Sequence, residues 1–392
     1  MAPIVRLKPR ARRRVAGGHR WVFSNEIDGF DRSIPPGEDV VVVDHRDRVL
    51  GSGTFNPRSL ISVRLHAPGE ERPLDGAFLR DRVGRAAARR QAWLGPEGAR
   101  ACRVVFGEAD DLPGLVVDRY GDHLSVQLLT AAMDRRRDEV LAALGEVLAP
   151  RGIVLRNDAR ARALEGLPLQ VEVAGEVPDA VRFRLGELIL WADLRGGQKT
   201  GFFFDQRENY RLIRPLCPGA RVLDAFCYSG AWGLHAALWG AREVVWLDAS
   251  AAALEMVRRN ARENGLEAPR TVEADALGFL KDAATRGETF DLVVLDPPAF
   301  AKSRRHVPEA LKGYLNLNKW GLRAVRPGGH LVTCSCSHHV RPEAFVETVA
   351  LAAAAAGRGV RVVGSGGQGP DHPWLPAMPE TSYLKALLLQ VD

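Results

Sequence analysis

The chain has 392 residues, too many for one ordinary domain and enough for two or three. Hydrophobic residues at 46% and charged residues at 26% describe a soluble globular composition, and no apolar run is long enough to span a membrane. Five cysteines, an odd number in so long a chain, argue against a disulfide framework, and the N-terminus is too basic for a secretory signal, so a cytoplasmic setting is expected. The net charge of +6 is unevenly placed. Arg6, Lys8, Arg10, Arg12, Arg13, Arg14 and Arg20 give residues 1–20 a charge of +7 with no acid, and the remainder sums to −1. Such a cationic arm is either the footprint of a polyphosphate partner or a solvated tail.

Residues 1–72 read as a small β-rich module. The run 40–43 follows the turn signal Pro35-Pro36-Gly37, and 50–55 and 60–65 flank Asn56-Pro57. No stretch of this module shows helical period. Residues 73–175 read as a middle α+β domain. It opens with a helix over 76–95, continues through strands at 104–106, 115–118 and 124–129, and closes with a helix over 131–148 and a strand at 153–156. Residues 176–392 open on a hairpin about Gly186-Glu187. From about 218, strands at 221–226, 243–248, 270–273, 292–296, 330–334 and 361–364 alternate with helices at 231–239, 251–264, 276–284, 312–325 and 343–356. A final strand, 386–391, has no helix after it. This alternation predicts an α/β fold with a doubly wound, mostly parallel sheet.

Ligands of such sheets sit beyond the carboxyl ends of the strands. The first strand runs into Asp224-Ala225-Phe226-Cys227-Tyr228-Ser229-Gly230. No G-x-G-x-x-G stands at this turn and no G-x-x-x-x-G-K-[ST] anywhere, which disfavours a dinucleotide or a nucleoside triphosphate. Asp248 ends the second strand, placed for ribose hydroxyls; Asp275 follows the third, placed for an adenine edge; Asp296 ends the fourth. Four strand-end acids without a phosphate loop describe a site for a cationic nucleoside, and the sulfonium S-adenosylmethionine fits. The plain alternative for any one of them is a helix N-cap.

These stretches, with Asp275-Ala276, Asp296-Pro297-Pro298-Ala299-Phe300 and Arg326-Pro327-Gly328-Gly329, resemble the successive motifs of class I S-adenosylmethionine-dependent methyltransferases. Three longer strings resemble signatures of one branch, the bacterial 23S rRNA 5-methylcytosine methyltransferases with an N-terminal PUA domain. They are Gly18-His19-Arg20-Trp21-Val22-Phe23, Gly107-Glu108-Ala109-Asp110-Asp111-Leu112-Pro113-Gly114-Leu115 and Lys199-Thr200-Gly201-Phe202-Phe203-Phe204-Asp205-Gln206-Arg207. The resemblance spans nearly the whole chain. It implies a PUA-like RNA-binding domain at 1–72, the middle domain at 73–175, and a Rossmann-like methyltransferase domain at 176–392 with a seven-stranded sheet and an antiparallel last strand. It implies S-adenosylmethionine held by Lys199, Gln206, Arg207, Asp224, Phe226, Tyr228, Gly230, Asp248, Asp275, Ala276 and Asp296. It implies 23S rRNA, naked or in a partly assembled large subunit, as partner, with no membrane and with a homodimer left open.

Carbon 5 of cytosine is a poor nucleophile, so a thiolate must first add to carbon 6. Cys334 and Cys336 stand at the end of the fifth strand. By ungapped register from Gly328-Gly329 the resemblance puts the nucleophile on Cys336; by the local triplet Thr333-Cys334-Ser335 it falls on Cys334. Asp296 is the candidate for holding the ring near N3. Many related enzymes carry a second cysteine in the Asp-Pro-Pro loop; here Ala299 follows the prolines, and no residue is assigned to the carbon-5 proton. His338 and His339 are nearby and read as structural. The gaps among Cys334, Cys336, His338 and His339 are too tight for a usual zinc site, so no metal is expected. Cys102, Cys217 and Cys227 read as structural, and Asp371-His372-Pro373 as a loop near the base pocket. Trp21, Phe23 and Phe55 read as core rather than base-stacking rings. The competing functions are N-methylation through the Asp-Pro-Pro loop and a non-catalytic RNA-binding assembly factor.

Overall fold

The computed structural model describes residues 2–301 and 303–392. The chain forms two compact units, one of Met1–Arg184, Ala192–Phe204 and Pro370–Thr381, the other of Leu185–Trp191, Asp205–Gly369 and Ser382–Asp392.

The first unit holds two sheets. The six-stranded one runs Trp21–Phe23, Ile61–Pro68, Val49–Phe55, Glu38–Val43, Ile4–Leu7, Ile27–Gly29. Alternate residues Val5, Leu7, Val40, Val42, Val63 and Leu65 point into its core with Val22 and Phe55. The N-terminal segment departs from the expected arm. Ile4–Leu7 is an interior strand, parallel to Glu38–Val43, and Pro9–Ala16 is a helix. Pro9 presets the first turn, and Ala11 and Val15, four apart, are the buried positions. Eight residues are too few to announce a period. Four of the seven cations are paired with acids, Arg6 with Asp47, Arg12 with Asp44, Arg14 with Glu26 and Arg20 with Asp111.

The five-stranded sheet runs Gln170–Gly175, Gly152–Asn157, His123–Leu128, Leu115–Tyr120, Ala101–Phe106, with helices Gly76–Gly98 and Arg137–Leu148 sharing its core. The strand Gln170–Gly175 carries little sequence signal, since it lies at an edge with Val171 and Val173 exposed. Two of the signature strings meet in this unit. Arg20 donates to Asp111 at 2.9 Å and the Trp21 indole to Glu108 at 2.6 Å. Asp110 is buried and takes Arg90 in a two-pronged pair at 2.6 and 2.8 Å. These strings therefore hold this unit together.

The second unit is built on a seven-stranded sheet. Its strands are β1 (Arg221–Ala225), β2 (Glu243–Asp248), β3 (Arg270–Glu273), β4 (Phe290–Leu295), β5 (Val325–Ser335), β6 (Val360–Gly366) and β7 (Lys385–Val391), in the order β3-β2-β1-β4-β5-β7-β6. β1 to β5 are parallel, and β7 runs antiparallel between β5 and β6. The helices are α1 (Ala231–Leu238), α2 (Ala251–Glu263), α3 (Ala276–Thr285), α4 (Val307–Ala324) and α5 (Pro342–Ala356). The central strands are apolar on both faces, as crossover helices require: Leu223, Val245, Leu247, Val293, Leu295 and Leu331 are all fully buried. Each contributes about 1.5–3 kcal/mol of burial. Chain order reverses between β1 and β4, and the crevice beyond their carboxyl ends is the topological switch point. No helix among the described residues is long and apolar enough to cross a membrane.

Candidate active site

The loop after β1 is unusual. Phe226 (φ 63°), Tyr228 (φ 48°) and Gly230 (φ 88°) are all left-handed. For Phe226 and Tyr228 this is strained backbone held by its surroundings. The Tyr228 amide donates to Oδ2 of Asp248 at 3.0 Å, and the Trp246 indole donates to the Gly230 carbonyl at 3.2 Å. Helix α1 then starts at once, and Gly233 in its first turn lies against Trp246. A Cβ at Gly233 would stand 2.2 Å from Nε1 of that indole.

Asp224 is fully buried at the end of β1. Its Oδ2 accepts the Gly233 amide at 2.8 Å, while its Oδ1 is buried with no partner. Burial pushes its carboxyl up to about 8; the Gly233 amide opposes this, and Asp296 and Asp248 add to it. Asp248 also accepts the Ser250 amide at 2.9 Å, and Ser250 rather than Asp248 caps α2. Asp296 is held by two side chains. The Gln206 amide donates to Oδ1 at 2.9 Å and the Trp232 indole to Oδ2 at 3.2 Å. Gln206 in turn accepts from Asn209 at 2.6 Å. Asp275 is exposed and is the N-cap of α3, accepting the Gly278 amide at 2.7 Å; Ala276 is the first residue of that helix and is buried. The cap reading thus describes Asp275 among the four acids.

The two cysteines differ in environment. Cys334 lies within β5 opposite Ala386 and is 0% exposed. Burial first, then Asp296, pushes its thiol well above the ordinary range. β5 ends at Ser335, so Cys336 stands one residue beyond it and not on a continuing strand face. Cys336 is half-buried, with Sγ 3.9 Å from the Pro297 carbonyl. Its flanks are pinned. Ser335 donates to the Tyr314 hydroxyl at 3.1 Å, and Tyr314 and Ser337 share a hydrogen bond of 3.0 Å.

Several groups here have no sequence signal of their own. Trp232 bonds Asp296 directly, and Asn209 does so through Gln206. Tyr383 donates to Asp205 at 2.6 Å and stacks on His338 with ring centroids 4.8 Å apart. Lys385, the first residue of β7, donates to the carbonyls of Ser337 and Tyr383 at 2.8 Å each. Sequence periodicity sees only local pairs, and these are long-range. Arg207 is half-buried in this unit. Lys199, by contrast, belongs to the first unit, where it is exposed with φ 51° and its ammonium over the Phe203 ring. Asp371 and His372 are also in the first unit and buried; Asp371 accepts the Arg103 amide at 3.1 Å and its carbonyl accepts from Arg90 at 2.8 Å. Phe55 is core, and Trp21 is held by Glu108. No cluster of three metal-binding side chains exists among the described residues.

A family profile described as a PUA-like domain matches residues 5–67, and one described as S-adenosylmethionine-dependent methyltransferase matches residues 133–390. The chain belongs to the S-adenosylmethionine-dependent methyltransferase family. It is 41% identical to a ribosomal RNA large subunit methyltransferase of Deinococcus radiodurans, over 100% of this chain and 98% of that protein. It is 38% identical to ribosomal RNA large subunit methyltransferase I of Shewanella denitrificans, over 100% of both. In fold it matches a Streptococcus mutans protein assigned as an S-adenosylmethionine-dependent methyltransferase, at a TM-score of 0.84 with 18% identity, and a methyltransferase assignment crystallised with SAH, at 0.87 with 19%; both alignments cover 100% of each chain. The methyltransferase's cofactor is S-adenosylmethionine. The residues fit this group. A buried carboxylate oxygen with no partner at the switch point, on Asp224, suits a cationic ligand, and Asp248 and Asp296 add negative charge beside it.

Proposed function

We propose that this methyltransferase modifies carbon 5 of a cytosine in 23S rRNA through a covalent adduct on Cys336. Its relatives are named for the large-subunit ribosomal RNA, which supports the substrate. The observation that carries the chemistry is the placement of Cys336. It is the more accessible of the two thiols, and it lies against the Asp296-Pro297-Pro298 loop that follows β4.

In this reading Asp224, Phe226, Tyr228, Gly230, Asp248, Asp275, Ala276 and Asp296, with Gln206 and Arg207, hold the cofactor. S-adenosylmethionine supplies an electrophilic methyl group. Cys336 Sγ, as thiolate, adds to carbon 6 of the ring, and the electron pair moves toward carbon 5. Asp296, fixed by Gln206 and Trp232, meets the ring at N3 and stabilises its N3-protonated form as carbon 6 is attacked. After carbon 5 is methylated, its proton is removed and Sγ leaves, restoring the aromatic ring. Cys334 stays a buried wall. Residues 1–72 and 73–175 serve as RNA-binding and middle domains, and 176–392 carries catalysis. Lys8, Arg10 and Arg13, the cations of the first segment outside its ion pairs with acids, meet phosphates and set register. A base stacked in a duplex cannot reach Sγ, so the target nucleotide is unpaired or flipped out.

The test is an in vitro reaction of deproteinised 23S rRNA with labelled S-adenosylmethionine, followed by nucleoside digestion and mass spectrometry. The expected product is 5-methylcytidine, absent with Cys336→Ala. Label in a methylated purine or an exocyclic amine, or full activity without Cys336, overturns the reading in favour of N-methylation.

A further inference from the structure

A cavity of about 410 Å³ opens at the start of α4, lined by Phe300, His306, Glu309, Ala310 and Gly313. It has the size of a small-ligand pocket, and the reaction above makes no use of it. Phe300 is its aromatic wall. The ring packs on the buried Tyr314, with centroids 4.6 Å apart. Gly313 lets it lie close to the helix, since a Cβ there would stand 3.1 Å from the ring. The ring is thus held in place, yet Phe300 stays half-buried at the cavity. His306 and Glu309 are exposed beside it, and Ser303 holds His306 through Nδ1 at 3.0 Å.

Short connections tie this cavity to the reacting thiol. Phe300 follows Pro297 by three residues, and the Pro297 carbonyl lies 3.9 Å from Cys336 Sγ. The Ala301 amide donates to Oγ of Ser337 at 3.3 Å. The Tyr314 hydroxyl bonds both Ser335 and Ser337, the residues on either side of Cys336. Three residues of chain span at most about 11 Å, the length of about one to three nucleotides of strand. A nucleotide presented to Cys336 therefore brings a neighbour within reach of the cavity. The local charge suits that neighbour. Arg304 and Arg305 are exposed on the single turn that leads into α4, and among the described residues neither is paired with an acid.

We propose that this cavity seats the base of a nucleotide close to the modified one, stacked on the Phe300 ring, with Arg304 and Arg305 on its phosphates. Stacking accepts any base, because every base has a π face. Glu309 adds an acceptor for a base amino group. The seat holds the strand beside the flipped target and so fixes how the target enters. The proposal rests on the reading that an unpaired RNA nucleotide meets Cys336.

The test is a cycle between protein and RNA, read as binding and not as methylation. An oligonucleotide is taken from the stretch of 23S rRNA that the full chain protects from cleavage, and an abasic site is placed at each position in turn. In wild type, removing the seated base should weaken binding about tenfold, within the range of one base–aromatic stack. Phe300→Leu should bind the intact oligonucleotide about tenfold more weakly, and the same abasic site should then cost little more. Phe300→Tyr, which keeps a ring, should restore both the affinity and the response to the abasic site. The coupled position should lie within about three nucleotides of the methylated one without coinciding with it. No protected stretch, no position that couples to Phe300, or coupling at the methylated nucleotide itself overturns the proposal. Should Phe300→Leu not fold, the exposed cations decide: Arg304→Gln with Arg305→Gln should shrink the slope of log affinity against log salt by about 1–2, and an unchanged slope overturns the proposal. Production of 5-methylcytidine without coupling sinks the seat alone. Coupling in a protein that methylates a purine or an exocyclic amine sinks the cytosine reading and leaves the seat standing.

Discussion

The Trp232 indole donates to Oδ2 of Asp296 across the switch point, from the second residue of α1 to the residue after β4. The bond orients a carboxylate that Gln206 holds from the other side. Trp232→Phe keeps the ring and removes this donor. A hydrogen bond to a charged group contributes about 1.5–3 kcal/mol, so kcat should fall about tenfold or more, with the cofactor's Kd little changed. Single-turnover kinetics beside calorimetric binding separates the two.

Asp224 carries a second prediction. Its carboxyl is held at about 8 in the folded protein against 3.8 unfolded. The folded state thus disfavours the ionised form, and stability is lost as pH rises from about 4 through about 8. Asp224→Asn cannot ionise. The free variant should melt higher than wild type, by more at about pH 8.5 than at about pH 5. It should also bind S-adenosylmethionine far more weakly. In the wild type, cofactor affinity should climb with pH and level off above about 8. Flat affinity across that range would contradict the role given to this carboxylate.

The two thiols should separate cleanly. Cys336→Ala should reduce methyl transfer by about a thousandfold or more. Cys334→Ala should keep most of the activity and destabilise the protein by about 1 kcal/mol, the effect of a small void in a filled core. Denaturant titration and the labelled-rRNA reaction on both variants read this directly.

Gly233 faces the Trp246 indole with no room for a methyl group. Gly233→Ala should push α1 from β2, costing about 1–3 kcal/mol, and should disturb the loop that leads to Asp224. The melting temperature and cofactor affinity should fall together.

For RNA, replacing Lys8, Arg10 and Arg13 by Gln should weaken binding without changing which nucleotide is modified. The slope of log affinity against log salt should shrink by about 2–3 if all three meet phosphates. The same change in Arg6, Arg12 and Arg14 should act chiefly on stability, since these face Asp47, Asp44 and Glu26.

Much of this was legible in the sequence, for a physical reason. Buried parallel strands must be continuously apolar and their crossover helices amphipathic, so the sheet of the second unit declares itself, and its ligands must lie just past each strand. Asp224, Asp248 and Asp296 are found by that rule alone. Asp275 obeys the same spacing while its carboxylate caps α3, because a strand-end acid and an N-cap occupy one position in a strand-to-helix turn. The helix Pro9–Ala16 stayed hidden behind its arginines, having two buried residues to show. Lys385 was invisible for a different reason. Its neighbours are chosen by the pairing of β7 with β5, and nothing local to residue 385 encodes that.

The strand Ile4–Leu7 is bordered on both sides, by Glu38–Val43 and by Ile27–Gly29. During synthesis Ile27–Gly29 can therefore pair with it first, and its second neighbour waits until residue 43 has been made. The sheet thus closes around this strand in two steps. Trimming those residues would open a gap inside that sheet and bare two facing rows of backbone N–H and C=O groups, an invitation to pair with another chain.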